Sequence, residues 1–280
     1  MIDLHSHTVA SDGTFTPEEL IQEAVKVGVH LLGITDHDTF AGYDASVPLA
    51  REAGIELVCG IELSTKLQGR SVHLLGYFLT QERMAAIRGR ISEMQAARRD
   101  RNIRLIARLR SLGIDITLEE VQARGRGLTA RPHFAQVMLE KGYVATLQQA
   151  FDDYLDESAK GYVYRREPTF AEGVALIREA GGIASLAHPV RVHGDVKTLM
   201  PELRGYGLNA IEAYHSDHQP HHTELYLELA REYGMLVTGG SDFHGAAKPG
   251  LMLGTGRGGN LQIPAGLFDK LQGHLSAAAS

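Results

Sequence analysis

The sequence has few of the features that mark secreted or membrane proteins. Cys59 is the only cysteine among its 280 residues, so an intramolecular disulfide cannot form and a zinc site built from cysteines is excluded. No apolar run reaches the roughly 18 residues that can span a membrane, and the first residues, MIDLHSHT, do not resemble an export signal. We therefore expect a cytoplasmic protein with no membrane partner.

The composition is that of a folded chain with a substantial core. Apolar residues make up 44% of the sequence and charged residues 22%, which excludes a largely disordered protein. The length suits one α/β barrel, which commonly needs roughly 250 residues. The net charge of −6 is uneven, because residues 82–166 hold 16 Lys and Arg against 11 Asp and Glu. This basic stretch is either a solvated helix surface or a cationic cover over an anionic substrate.

Seven short runs of apolar and β-branched residues predict strands, with helical patterns between them. The predicted strands span residues 2–5, 31–35, 55–61, 72–78, 183–187, 210–214 and 235–238. One helix is predicted at 17–27, where Thr16 precedes Pro17 in the first turn, and another at 169–180, before Gly181 and Gly182. Strands that alternate with helices predict a parallel sheet.

The alternation stops after residue 78 and resumes near residue 168. In between, apolar residues recur at helical spacing among many arginines, namely Ile87, Ile91, Met94, Ile103, Ile106 and Leu109. We predict a barrel formed by residues 1–80 and 167–280, and a helical insertion, or lid, at 81–166. The tail after residue 250 contains several glycines and one short helical stretch at 265–275.

Histidines and carboxylates are concentrated where the predicted strands end. His5 and His7 follow the first strand, Asp36 and His37 the second, Glu62 the third, His188 the fifth, His215 the sixth, and Asp242 and His244 the seventh, while His73 lies near the start of the fourth. Because strand ends converge at one face of a parallel barrel, these residues predict one polar cluster. Each motif alone has a plainer explanation, such as a surface histidine pair, an aspartate cap or a glycine turn.

The chemistry of this cluster indicates metal binding. His5 and His7 alternate along a strand, so both imidazoles point to one side and can bind one ion. Imidazole and carboxylate ligands without thiolate suit zinc, manganese or iron. Ions held close together lower the pKa of a bound water to about 7 and polarise a phosphoryl or carbonyl oxygen. The sequence therefore predicts metal-assisted hydrolysis.

The motifs DLHSHTVASDGTFTPEEL, GITDHDT, GIELST, VHLLGY, AHP and GGSDFHG occur in that order, and together they resemble the polymerase and histidinol phosphatase (PHP) superfamily. The resemblance covers the barrel on both sides of the insertion. It implies an α/β fold, a distorted (β/α)7 barrel, with three divalent ions of Mn²⁺, Zn²⁺ or Fe²⁺.

The resemblance also implies a role for each motif residue. The first ion would bind His5, His7, Glu62 and Asp242; the second Glu62, His73 and His188; the third Asp12, His37 and His244. A hydroxide held between ions at Glu62 and Asp242 would attack phosphorus, and His215 is a possible acid for the leaving group. Asp36 would orient a ligand imidazole.

Within the superfamily, the insertion resembles that of nucleoside 3′,5′-bisphosphate phosphatases and of 5′-to-3′ exoribonucleases acting on short RNA. The stretches that carry this resemblance are LTARPHFAQVMLEKGY, AFDDYL and KGYVY. It implies a substrate such as pAp, converted to AMP, or a short 5′-phosphorylated oligoribonucleotide, and no obligate protein partner. Arg131, His133, Lys160 and Arg191 would bind that substrate. Arg131 and Lys160 could instead be solvated, and His133 could cap a helix or belong to the core.

Three alternatives remain open. Histidinol phosphatases share the metal ligands and differ in the insertion. Amidohydrolases also begin with HxH, but many bridge their ions with a carboxylated lysine where this sequence has Glu62. A non-catalytic scaffold that binds RNA is the third alternative, although the intact ligand set disfavours it.

Overall fold

The computed structural model describes residues 1–78, 81–124 and 129–277. Its main sheet has seven strands in chain order: β1 (Ile2–Asp3), β2 (Leu31–Ile34), β3 (Glu56–Leu67), β4 (Arg70–Phe78), β5 (Ile183–Leu186), β6 (Ala210–His215) and β7 (Leu236–Gly240). The sheet curls until its two ends meet. The Leu4 amide donates to the Gly239 carbonyl at 3.1 Å, and the Asp242 amide donates to the His5 carbonyl at 2.9 Å. This nearly closed barrel confirms the predicted α/β fold.

Ten α-helices are assigned in the described part of the chain. They are α1 (Pro17–Val27), α2 (Ala41–Ala53), α3 (Gln81–Ser111), α4 (Leu118–Gln122), α5 (Arg131–Glu140), α6 (Leu147–Ala150), α7 (Phe170–Glu179), α8 (Val196–Gly205), α9 (Pro220–Glu232) and α10 (Leu267–Ala277). The first begins where its sequence predicts, because Thr16 and Glu19 each accept the other's backbone N–H. No helix in these ranges is long and apolar enough to cross a membrane.

The sheet is not entirely parallel, which corrects the prediction from strand–helix alternation. Strand β4 runs antiparallel to both β3 and β5. The cause is a two-residue hairpin between β3 and β4, in which Gln68 (φ 50°) and Gly69 (φ 80°) both adopt left-handed backbone angles. Strand β3 extends to Leu67, beyond its predicted end. The reversed direction brings the start of β4, with His73, to the same barrel end as the carboxyl ends of β2 and β3.

Between the two halves of the barrel, the chain forms a second buried cluster. It includes Leu105, Leu109, Val121, Phe134 and Met138 from helices α3, α4 and α5. Helix α3 joins the two regions, because its first half packs in the barrel's core and its second half in this cluster. The helical character of the insertion agrees with the sequence, and its exact boundaries stay a prediction.

The tail contributes more than its glycine content suggests. A small hairpin, β8 (Leu251–Met252) and β9 (Gly256–Arg257), follows β7. Helix α10 then packs Leu267, Leu271 and Leu275 against a cluster that contains the strand starts Ile2 and Leu31. The far end of the barrel is thereby closed, which leaves the opposite end for polar chemistry.

Candidate functional site

Glu62 lies at the centre of the polar end of the barrel. Its side chain is buried, and its two oxygens face different imidazoles. Oε1 lies 2.9 Å from His73 Nδ1 and 2.9 Å from His188 Nε2. Oε2 lies 3.0 Å from His7 Nε2 and 3.2 Å from His5 Nε2. This carboxylate is therefore placed where it can bridge two ions.

Asp242 completes the first group of potential ligands. Its Oδ1 lies 3.5 Å from His5 Nε2 and 3.4 Å from His7 Nε2, so that these residues and Glu62 form one compact set. A positive backbone φ of 58° at Asp242, a conformation that costs about 1–3 kcal/mol in a non-glycine residue, aims the side chain into the cluster. Together the four residues match the set expected for the first ion.

A second group surrounds Asp12. Its carboxylate lies 3.3 Å from His244 Nε2, 3.5 Å from His7 Nδ1 and 3.7 Å from His37 Nε2. His7 thus faces both groups, one with each ring nitrogen. His37 also lies 3.4 Å from Glu62. All nine predicted ligand residues meet at this end of the barrel, and the assignment of each to a particular ion stays a prediction.

The donor atoms fit a divalent cation. His5 Nδ1 donates to the buried carboxylate of Glu212 at 2.9 Å, which leaves a lone pair on Nε2. That nitrogen lies 3.2 Å from His7 Nε2 and 3.2 Å from Glu62. His244 Nδ1 likewise donates to the Asp242 carbonyl, at 2.8 Å, so its Nε2 faces Asp12 as an acceptor. Imidazole nitrogens and carboxylate oxygens that converge in a buried site are suited to a divalent cation such as zinc, manganese or iron.

The electrostatics keep Glu62 and two of the imidazoles in their binding forms. Despite burial, the nearby carboxylates instead raise the pKa of His5, His7 and His73, so a metal ion at these residues competes with a proton. Burial favours a neutral Glu62, but the neighbouring imidazoles of His73 and His5, whose own pKa values are raised, outweigh it and hold the pKa of Glu62 well below its usual range. Burial lowers the pKa of His37 to about 3 and that of His188 to about 4, despite the nearby carboxylates. The carboxylate is therefore charged and these two imidazoles are neutral, as metal binding requires.

Glu212 is a functional residue that the sequence analysis missed. It lies inside β6, is fully buried, and accepts hydrogen bonds from His5 Nδ1 and, at 2.6 Å, from the His188 amide. The second bond fixes His188, whose backbone φ of 28° is unusual for a non-glycine residue. The available signal was a lone glutamate within the apolar run AIEAY. Glu212 holds two ligand residues in place without being a predicted ligand itself.

Asp36 acts on the backbone of the site more directly than on an imidazole. Its carboxylate accepts hydrogen bonds from the Thr8 amide (2.8 Å), the Thr8 hydroxyl (2.7 Å) and the Ser11 hydroxyl (2.6 Å). Ser11 in turn lies 3.4 Å from His7 Nδ1. Asp36 therefore fixes the loop that carries Ser11, and its expected orientation of a ligand imidazole would act through that loop on His7 and stays a prediction.

His215 is held in one tautomer, with Nε2 as a hydrogen-bond donor. Its Nδ1 accepts the Asp217 amide at 3.0 Å, so the neutral ring carries its proton on Nε2. That nitrogen is buried, has no hydrogen-bond partner in the described ranges, and lies 3.6 Å from Asp242 Oδ2. A nitrogen that carries a proton cannot bind a metal ion, so this arrangement favours donation over ligation.

A cavity of about 230 Å³ separates the ligand cluster from the insertion. Asp12, His37 and His73 line one wall, and Arg101 and Arg131 line another. Arg101 is only 4% exposed, and its Nε and Nη1 have no partner in the described part of the chain. Burial, together with the nearby arginines, lowers the pKa of Arg101 to about 9. At neutral pH this guanidinium is charged. Glu167, which lines the same cavity, offsets part of that charge, but Nε and Nη1 remain without a hydrogen-bond partner, as expected of an anion-binding group.

The four residues expected to bind substrate occupy different places. Arg131 lines the cavity and lies 5.3 Å from the Tyr162 ring. His133 Nδ1 accepts the Ala130 amide at 3.0 Å, which is the helix-capping alternative. Lys160 is exposed, with its ammonium 4.2 Å from the Tyr154 ring, and it is not part of the cavity wall. Arg191 lies on another side of the cluster, 2.9 Å from Asp242. Their roles in binding stay predictions.

Curated relatives with similar sequences cover nearly the whole chain. The 5′-3′ exoribonuclease Rnm of Salmonella typhimurium is 34% identical over 95% of this chain and 90% of its own length. The phosphoribosyl 1,2-cyclic phosphate 1,2-diphosphodiesterase of Eggerthella lenta is 32% identical over 87% and 94%. The 3′,5′-nucleoside bisphosphate phosphatase of Chromobacterium violaceum is 28% identical over 90% of both.

Structure and family comparisons agree with these relatives. A crystal structure from Bifidobacterium adolescentis, described as that of a metal-dependent phosphoesterase, superposes with a TM-score of 0.82 and 32% identity over 98% of this chain and 96% of that one. The family model described as PHP domain matches residues 3–164. The chain therefore belongs to the PHP domain family of metal-dependent phosphoesterases.

Proposed function

We propose that this chain hydrolyses the 3′-phosphate of nucleoside 3′,5′-bisphosphates, such as pAp to AMP, and that it also acts on short 5′-phosphorylated oligoribonucleotides. The observation that supports this is the 230 Å³ cavity, with the metal-ligand cluster on one wall and Arg101 and Arg131 on another. A substrate with two phosphates can engage both walls at once. A simple monoester can engage only one.

Arg101 gives this proposal its specificity. A buried guanidinium whose N–H groups lack partners is costly, and a charge-assisted hydrogen bond to phosphate is worth roughly 1.5–3 kcal/mol. The 5′-phosphate of a bisphosphonucleoside would supply the missing acceptor while the 3′-phosphate reaches the ligand cluster. Arg131 would hold the same phosphate from the insertion side, because a guanidinium fork matches phosphate oxygens. Histidinol phosphate has no second phosphate and would leave Arg101 unpaired.

The residues of the cluster have distinct roles in the proposed reaction. The nine ligand residues would hold three divalent ions, which supply Lewis-acid chemistry when bound. Glu212 fixes His5 and His188, so that their ligand nitrogens keep their orientation. His215 Nε2–H would donate a hydrogen bond to the oxygen that leaves phosphorus. Arg191, beside Asp242, offsets charge that develops on the phosphoryl oxygens.

One relative suggests a second candidate substrate. The enzyme from Eggerthella lenta matches at 32% identity, and its name specifies a phosphoribosyl cyclic phosphate, which also carries two phosphates. Such a substrate could bridge the same two walls. An amidohydrolase activity is disfavoured, because Glu62 occupies the bridging position with a full set of imidazoles around it.

A matched pair of substrates tests the proposal. Phosphate release in Mn²⁺ is measured for pAp and for adenosine 3′-monophosphate, which presents the same ester without the 5′-phosphate. Histidinol phosphate, phosphoribosyl 1,2-cyclic phosphate and a short 5′-phosphorylated RNA, assayed for its released nucleotide, complete the panel. We expect kcat/KM for pAp to exceed that for adenosine 3′-monophosphate by roughly 10- to 100-fold, from one buried charge-assisted contact. Equal values, or a preference for histidinol phosphate, would contradict the proposal.

A further inference from the structure

A second group of cations lies across the ligand cluster from the insertion. It consists of Arg191, Lys248 and Arg257, which we call the cation strip. Arg191 follows β5, and the other two residues follow β7. The insertion cavity instead meets the barrel at His37 and His73, after β2 and at the start of β4. Because the seven strands are arranged around the barrel in chain order, these two positions lie on opposite sides of its rim.

The cation strip is continuous and ends at the solvent. Lys248 Nζ lies 2.5 Å from Asp242 Oδ2, and Arg191 Nη1 lies 2.9 Å from the same oxygen. Arg191 Nε donates to Asp217 Oδ2 at 3.0 Å, and Arg257 Nε lies 3.7 Å from the other oxygen of Asp217. The side chains of Arg191 and Arg257 are 40% and 46% exposed. Cations thus alternate with carboxylates from the ligand cluster outward.

The charge of this strip is positive and points to an anion. Three cations face two carboxylates, and one of the two, Asp242, is also a candidate metal ligand. A carboxylate bound to a metal ion neutralises its neighbours less, so the excess positive charge grows when the cluster is loaded. A nucleoside bisphosphate has no third anionic group to reach Arg257. The strip therefore exceeds what a mononucleotide requires.

We propose that the cation strip binds the phosphodiester backbone of a single-stranded RNA on the 3′ side of the bond that is cleaved. The inference rests on the proposed function, in which the insertion arginines hold the 5′-phosphate and the cluster holds the phosphate under attack. A strand that enters in this way must continue away from the insertion. The strip lies on that side, and Arg257, at its exposed end, contacts the first intact phosphate beyond the cluster.

Another cavity offers a competing route and a matched control. A space of about 550 Å³ lies between the starts of α1 and α2 and helices α3 and α4. It is lined mainly by apolar and uncharged residues, together with Arg98 and the exposed Arg99. Arg98 forms an ion pair with Asp38, whereas Arg99 is exposed to solvent. Of these two arginines, Arg99 is therefore the one that could contact a phosphate. Arg99→Ala therefore removes the same charge from a different exit.

The experiment measures binding of a fluorescent, 5′-phosphorylated RNA octamer by anisotropy in Mn²⁺. Asp12→Asn serves as the background, because this ligand change should prevent cleavage during the titration. Adding Arg257→Ala should raise the Kd for the octamer by roughly three- to tenfold and reduce the slope of log Kd against log salt by about 0.7 for one lost phosphate contact. The Kd for pAp, measured by competition, should change less than the Kd for the octamer. Adding Arg99→Ala to the Asp12→Asn background should leave the ratio of the Kd for the octamer to the Kd for pAp unchanged.

Four results would overturn the cation strip as an RNA site. These are an unchanged octamer Kd in Arg257→Ala, an equal change for the octamer and pAp, a selective loss for the octamer in Arg99→Ala, and failure of the octamer to bind at all. Phosphate release from pAp by the unmodified protein is measured in parallel. If pAp is hydrolysed but one of these four results is obtained, only the RNA site is rejected. If pAp is not hydrolysed, the proposed function itself is rejected.

Discussion

The barrel end and the insertion present opposite kinds of unsatisfied group to one cavity. On the barrel side, carboxylates and imidazoles converge, as at Glu62 and Asp12, and this donor set is suited to metal cations. On the insertion side, Arg101 carries unpaired N–H groups, so the wall requires anions. The difference separates two tasks. In the proposed function, the barrel carries out the reaction and the insertion selects the substrate.

A buried ion pair fixes the distance between these two walls. Arg98 of α3 pairs with Asp38 and donates to the Ser64 hydroxyl at 3.2 Å. One turn earlier, Gln95 donates to the Asp38 carbonyl at 2.8 Å. Asp38 itself has a backbone φ of 51°, a strained conformation that these contacts hold in place. Helix α3 also contributes Arg101. The position of this helix on the barrel therefore sets the distance between the Arg101 guanidinium and the ligand cluster.

The largest effect is expected on the barrel wall. Asp12→Ala removes the carboxylate around which His7, His37 and His244 gather, so the third ion should be lost and turnover should fall by roughly 10³-fold or more. Metal content by elemental analysis should fall by one ion per chain, and circular dichroism should show a folded protein. His244→Ala is the companion variant and should behave alike. Full activity in either would remove the third ion from the mechanism.

A selective effect is expected on the insertion wall. Arg131→Ala should raise KM for pAp far more than KM for adenosine 3′-monophosphate, because only pAp has a phosphate for this guanidinium. Arg101→Met, which retains most of the side-chain volume, should do the same and cost roughly 10- to 100-fold in kcat/KM for pAp. Arg99→Ala is the control for loss of one positive charge. If both substrates are affected equally, the insertion does not select the second phosphate.

An intermediate effect, on metal affinity, is expected from Glu212, which lies behind the ligand residues His5 and His188. Glu212→Gln keeps the shape of the side chain but weakens its hold on His5 and His188, so metal affinity should fall by roughly 10- to 100-fold. Activity should recover when the concentration of Mn²⁺ is raised, because the ligands themselves remain. Metal affinity by isothermal titration calorimetry tests this directly. A loss of turnover that saturating Mn²⁺ does not restore would place Glu212 in the reaction itself.

The same contrast explains what the sequence could predict. Eight of the nine predicted ligands follow or begin a short apolar run, so the strand pattern marked them without knowledge of the fold, whereas Asp12 was predicted only from the family resemblance. Glu212 escaped notice because it lies within a strand. The direction of β4 was also hidden, because polar residues such as Ser64, Thr65 and Lys66 concealed the end of β3, and with it the two-residue hairpin.

The insertion was less predictable for a physical reason. Arginines occur at positions 98, 99, 101 and 104 of α3, around much of its circumference, so helical periodicity cannot show which of them is buried. Arg98 and Arg101 face inward while Arg99 is exposed, and tertiary packing alone decides this. The basic charge of the segment predicted a cationic cover. The residues that form this cover could be identified only from the packing of α3 against the barrel.

The smallest effect concerns the response of each region to acid. In the barrel, His218 donates from Nδ1 to the Ala213 carbonyl at 2.9 Å, its Nε2 is buried without a partner in the described ranges, and burial lowers its pKa to about 4. In the insertion, burial also lowers the pKa of His133. Both imidazoles are neutral when folded, whereas an unfolded histidine takes up a proton below a pH of about 6.5. For His218, the unfolded state therefore binds more protons than the folded state between about pH 6.5 and 4, and the free energy of unfolding decreases as the pH is lowered, by up to about 1.4 kcal/mol per pH unit.

Substituting each histidine separates the two regions. His218→Asn retains a hydrogen-bond donor and cannot be protonated, so its free energy of unfolding should fall less steeply between pH 6.5 and 4.5 than that of the unmodified protein. His133→Asn should flatten the same curve by a smaller amount, because His133 is the less completely buried of the two. Urea unfolding at several pH values measures both slopes, and the metal ligands titrate alike in all three proteins, so they cancel in the differences. Parallel curves for His218→Asn and the unmodified protein would mean that His218 is protonated in the folded state, and a steeper contribution from His133 would place the acid-sensitive region in the insertion.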